Sequence, residues 1–98
     1  MQISRISEAE FARIVAGIAQ DRDSIIRHNP IGTAEEILLW MLMSSLVIYL
    51  SLDPSETPCF PGRSDAQAYR DAIRFILNGR MKTEFEIDPY LEKLCGAE

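Results

Sequence analysis

The sequence predicts an all-α protein: a compact helical bundle of three main helices plus a short C-terminal helix, with room for a minor β-strand pair near residues 1–6 and 81–87. Three observations carry that prediction. Capping-box patterns occur three times, each opening an apolar helical repeat. Apolar residues recur at three- and four-residue spacing over most of the chain. Residues 37–52, ILLWMLMSSLVIYLSL, are apolar except for three serines, and a helix that is apolar all round must be buried all round.

The first helix is predicted over 8–27. Ser7-Glu8-Ala9-Glu10 opens it: the Ser7 hydroxyl can accept the Glu10 amide while the Glu10 carboxylate reaches back to Ser7. Ile6 and Phe11 occupy the two positions of a hydrophobic staple. Phe11, Ile14, Val15, Ile18, Ile25 and Ile26 form its apolar stripe. His28-Asn29-Pro30 ends it, because the residue before proline avoids the α region. Ile31-Gly32 is a short connection, so the first two helices should be antiparallel neighbours.

Thr33-Ala34-Glu35-Glu36 repeats the capping box and opens the second helix, 34–52. A loop follows over 53–63, with prolines at 54, 58 and 61. Ser64-Asp65-Ala66-Gln67 opens a third helix over 65–78, with Tyr69, Ala72, Ile73 and Ile76 inward and Gly79 as a left-handed stop. Residues 81–88 read MKTEFEID. Their period of two favours a half-buried strand, for which residues 1–6 are the local partner. Asp88-Pro89 then reads as an N-cap with proline at the first helical position, opening a helix over 90–94 that Gly96 stops.

The 98 residues make a single domain, 1–98, and a chain of this size buries roughly 65% of its unfolded surface. A hydrophobic fraction of 47% and a charged fraction of 26% are those of a globular protein. Net charge is −5, which argues against general affinity for phosphate backbones. The charge is segregated. Residues 63–82 hold five basic and two acidic residues, whereas 83–98 hold one basic and five acidic. Acidic ends that cover a basic middle are the ordinary account. A local anion-binding surface of Arg63, Arg70, Arg74, Arg80 and Lys82 is the sharper one.

The apolar run is short for a membrane span. Sixteen helical residues reach about 24 Å against roughly 30 Å of hydrocarbon. Glu35, Glu36 and Asp53 flank it, with no Lys or Arg to anchor it. Absence of a secretory leader and the two cysteines, Cys59 and Cys95, suggest a reducing, cytoplasmic setting. Whether these cysteines pair is open.

A helical wheel divides the second helix. One arc holds Leu38, Leu39, Trp40, Leu42, Met43, Leu46, Val47, Tyr49 and Leu50, the expected core face. The other holds Ile37, Met41, Ser44, Ser45, Ile48, Ser51 and Leu52. That second face needs a cover, and so few helices cannot surround a central one. A second copy of the chain, forming a twofold homodimer, is the expected cover; the alternatives are a monomer whose own loop and C-terminal segment fold over the face, and a different protein.

No catalytic, cofactor-binding or metal-ligating residues are assigned. His28, the one histidine, sits at a helix C-terminus, and no ExxH or HxxxH pattern accompanies it. Neither cysteine lies in a nucleophile signature, and Ser44 and Ser45 lie inside a helix without a GxSxG turn. The glycines form no phosphate-binding pattern. Cys59 and Phe60, held between prolines, form a candidate recognition loop, with Phe60 turned inward to cap the core as the plainer reading. The leading functional reading is a non-enzymatic interaction module, an adaptor, inhibitor or regulatory subunit acting through helix surfaces as a homodimer. Two readings compete with it: a small-molecule binder or minor enzyme with an apolar pocket near Trp40, Met43 and Tyr49, and an anion or nucleic-acid binder using 63–82.

Overall fold

A computed structural model describes residues 6–29, 32–53, 66–80, 83 and 85–95. Within them the chain is helical, as predicted. The elements are α1 (Glu8–Gln20), α2 (Arg22–His28), α3 (Ala34–Leu50), α4 (Ala66–Arg74), which continues as a π turn over Phe75–Arg80, and α5 (Asp88–Cys95).

Both capping boxes within the described residues are made. The Ser7 amide donates to Glu10 Oε1 at 2.8 Å, and the Glu10 amide to Ser7 Oγ at 3.1 Å. At α3 the Thr33 amide donates to Glu36 Oε1 at 2.8 Å and the Glu36 amide to Thr33 Oγ1 at 3.2 Å. Each box satisfies two amides that a helix start would otherwise leave unpaired. Gly32, with φ 86°, supplies the positive torsion that turns the chain into the Thr33 cap. Ile6 and Phe11 are both buried, as the staple requires. The third box begins at Ser64 and Asp65, outside the described residues.

The first predicted helix is not continuous. It breaks at Asp21 (φ −97°, ψ 16°) into α1 and α2. The Asp21 amide is shared between the Gly17 and Ile18 carbonyls, both at 3.2 Å, and the Asp21 carbonyl accepts Ile25 at 2.9 Å. The hydrogen-bond ladder therefore bends without being lost. The polar run Gln20-Asp21-Arg22-Asp23 offers no apolar side chain to hold a straight helix there.

The far ends of α3 and of the third predicted helix also differ from expectation, whereas α5 runs to Cys95, within one residue of the expected end. α3 stops at Leu50, with Ser51 left-handed (φ 55°, ψ 47°). The Ser51 amide donates to the Ile48 carbonyl at 3.1 Å and the Leu52 amide to the Val47 carbonyl at 3.1 Å, the paired bonds of a Schellman stop. The third predicted helix does not end at Asn78. It widens into the π turn and passes through Gly79 to Arg80, and the Thr83 amide then donates to the Leu77 carbonyl at 2.9 Å.

The alternation at 81–87 does not make a strand at any described position. Its inward side chains pack on helices instead. Ile87 is buried, and Phe85 lies 5.5 Å from Phe11 and 6.4 Å from Tyr90, ring to ring. A connector that drops alternate side chains into a groove shows the same period as a strand. Residues 1–5, 81, 82 and 84 are outside the described set. The Ile87 carbonyl accepts the Tyr90 and Leu91 amides, so α5 begins at Asp88, the expected cap, and Pro89 is its second residue rather than its first.

α3 is the central rod, packed against α1, α2, α4 and α5. Leu38, Leu39, Leu42 and Leu46 on it are fully buried, with Phe11, Ile73, Ile76, Leu77, Leu91 and Leu94 converging from the other helices. No polar side chain is buried among the described residues. The Cα envelope measures 42 × 29 × 19 Å, so the thinnest dimension holds about two layers of helices.

Candidate interaction surface

The uncovered side of α3 and the adjoining faces of α1 and α2 form one open groove of about 650 Å³. α1 contributes Arg13, Ile14, Gly17 and Ile18. Asp21 stands at the bend, Ile25 comes from α2, and Met41, Ser45, Ile48 and Tyr49 from α3. The groove runs past the Asp21 bend, with lining residues on both sides of it. α1 and α2 flank α3 without closing over it.

The seven residues of the expected second face separate. Met41, Ser45 and Ile48 line the groove, and Ser44 is half-buried outside its wall. Ile37 is 5% exposed and Leu52 is 8% exposed, so both are covered by the subunit itself. Ser51 is the left-handed stop, exposed to solvent. Conversely, the expected core face surrenders Trp40 and Tyr49, which are 40% and 46% exposed. Ile48 is 78% exposed, a large aliphatic side chain almost wholly in water. Of the pocket expected near Trp40, Met43 and Tyr49, Tyr49 lines the groove, Trp40 faces outward, and Met43 is buried.

Arg13, Ile14, Gly17, Ile18, Asp21 and Ile25 were not in the expected surface. Ile14, Ile18 and Ile25 read as an ordinary core stripe. Nothing in the wheel of a single helix shows that two helices bend around a third.

The rim of the groove is polar. Glu10 is held below its ordinary pKa, first by the Ser7 amide and then by the Tyr49 hydroxyl, with Arg13 adding a favourable charge. The same carboxylate pushes the Tyr49 phenol up. At the far side of α1, Tyr90 donates to Glu8 at 2.6 Å and its phenol is likewise pushed up.

The candidate anion-binding residues are engaged internally. Arg70 reaches Glu35 in the first turn of α3 through Nε at 3.1 Å and Nη2 at 2.6 Å, and Glu92 of α5 at 3.8 Å. Arg74 pairs with Asp88 at 2.9 Å and Asp71 at 3.3 Å. Carboxylates from both acidic ends thus face the basic helix. Any anion would compete with those partners. Arg63, Lys82, Cys59 and Phe60 lie outside the described residues, as does the Arg80 side chain.

His28 Nδ1 lies 2.8 Å from the Ser24 carbonyl oxygen, which can only accept, so this nitrogen carries the proton. The Cys95 thiol is half-buried at the end of α5, and burial pushes its pKa up. Among the described residues, no three of His, Cys, Asp and Glu gather at metal-binding spacing. None of the described helices is long and apolar enough to cross a membrane. No protein-family model, curated protein or solved structure matches the chain.

Proposed function

We propose that the protein is a non-enzymatic interaction module that works through its helix surfaces and self-associates as a homodimer. The observation that carries this reading is the groove bounded by α1, α2 and α3, with Ile48 on its lip at 78% exposure. Large aliphatic side chains gathered on one open face lose free energy to water that a packed partner would recover, at about 25 cal/mol per Å². The groove is broadly open to solvent. A small ligand lying in it would leave much of its surface wet, whereas sites for small molecules enclose most of theirs. A protein surface is therefore the better fit.

Light scattering after gel filtration tests the reading. The expected mass is twice the 11.1 kDa of the subunit. Ile48→Glu should give a folded monomer, because a residue this exposed contributes little to the fold of its own subunit. A wild-type chain that stays at 11.1 kDa at the highest soluble concentration would refute self-association.

A further inference from the structure

We infer that the second copy docks in this groove with α1 antiparallel to its own symmetry mate, the twofold axis passing beside Gly17 and Arg13 of each subunit facing Asp21 of the partner subunit. The inference rests on the self-association reading and adds its geometry. Glycine is among the poorest residues for a helix interior. Gly17 nevertheless lies inside α1, exposed, and a Cβ built on it meets no atom within 4 Å. Nothing in the subunit requires glycine there. A missing side chain on an open helix face lets another backbone approach closely.

The neighbours of Gly17 say which backbone. Arg13, Gly17 and Asp21 stand four residues apart along one ridge of the helix, the ridge that interdigitates in the commonest class of helix packing. Both charged ends are exposed; Arg13 lends a weak favourable charge to Glu10, but neither end joins the ion pairs made among the described residues. Positive charge, glycine, negative charge is a self-complementary order. A twofold rotation about Gly17 brings each arginine onto an aspartate. A parallel arrangement would set like charge on like. A twofold contact of this kind is isologous: one patch supplies both halves. It also brings the two grooves face to face, so that Ile48 leaves water.

Charge reversal tests the pairing. Arg13→Glu and Asp21→Arg should each weaken the dimer on the order of tenfold or more, since each places two like-charge pairs in one interface. The double variant Arg13→Glu/Asp21→Arg should restore dimerisation to within a few-fold of wild type, because the order is inverted but still complementary. Gly17→Gln should leave the helix as stable or more so by circular dichroism and weaken the dimer at least about tenfold. A dimer untouched by both single reversals and by Gly17→Gln overturns the inference while leaving self-association standing. Loss in both single variants without recovery in the double overturns the charge pairing. A monomeric wild type overturns both readings.

Discussion

Ser51→Gly should stabilise the protein, and the size of the effect follows from one torsion angle. Ser51 holds φ 55° and ψ 47° at the end of α3, making it the one non-glycine residue with positive φ among those described. In that region Cβ crowds the neighbouring carbonyl at a cost of about 1–2 kcal/mol. Glycine removes the cost but gives the unfolded chain more freedom, which takes back about 0.5–1 kcal/mol. The Ser51 side chain is exposed, so little packing is lost. The two bonds of the stop use the amides of Ser51 and Leu52 and survive the substitution. The net gain is about 0.5–1 kcal/mol, a rise in Tm of roughly 2–8 °C for a domain of this size. Differential scanning calorimetry at one matched protein concentration measures it, because association also moves Tm. Ser51→Val should move Tm the other way, since a branched Cβ is worse at this torsion. A fall in Tm for the glycine variant would mean that the serine is held by something other than the helix stop, and the reasoning would fail.

Four further outcomes follow from the described contacts. Arg70→Ala should destabilise by about 1–2 kcal/mol in urea titrations: it removes two charge-assisted bonds to Glu35, which at 41% exposure can rehydrate, and an unchanged midpoint would show the pair to be idle. Leu42→Ala, on the buried side of α3, should cost about 2–5 kcal/mol, and a loss below 1 kcal/mol would place that residue outside the core. Glu10 has its folded pKa lowered from 4.5 by the Ser7 amide and then Tyr49, so its contribution is present above that value and lost as pH falls through the lower one. Glu10→Gln should therefore flatten the acid limb of a Tm–pH curve, and superimposable curves would count against the capping geometry. In a Cys59→Ser background the raised pKa of half-buried Cys95 should make its thiol slow toward a disulfide reagent at neutral pH and fast in urea. Equal rates in both would contradict its burial.

The starts of α1 and α3 were legible in the sequence, and so was the end of α2 at His28, whereas the ends of α3 and of the third predicted helix were not, for a physical reason. A capping box is a local bond pattern among four consecutive residues, so Ser7 to Glu10 and Thr33 to Glu36 declare themselves whatever surrounds them. An end depends on what the chain must do next. Gly79 read as a stop, yet the backbone widens through it into a π turn, while the left-handed stop falls on Ser51, where no glycine advertises it. The bend at Asp21 had a weak local signal, a polar run, which a continuous stripe of isoleucines overrode. The alternation at 81–87 was real. It reports Phe85 and Ile87 dropping onto α1 and the core, a tertiary cause that period alone cannot tell from a strand.

The same contrast governs the surface. An all-apolar helix has no polar side to fix its rotation, so a wheel of α3 yields two arcs but cannot say where the core arc ends. Neighbouring helices decide it. The buried arc runs through Leu38, Leu42, Leu46, Leu39 and Leu50; Trp40 falls outside it, and Tyr49, whose angle lies within it, is exposed near the end of the helix. Ile37 is covered near the start of α3, and Leu52 is tucked in by the Schellman stop beyond its end. What is left between them is Met41, Ser45 and Ile48 at the middle of the rod, opposite the bend of α1 into α2. The apolar run thus implies a surplus face, but its usable part is set jointly by three helices and by a glycine on a different one. For that reason Gly17, outside the greasiest segment of the chain, is the position whose substitution discriminates best among ways of covering it.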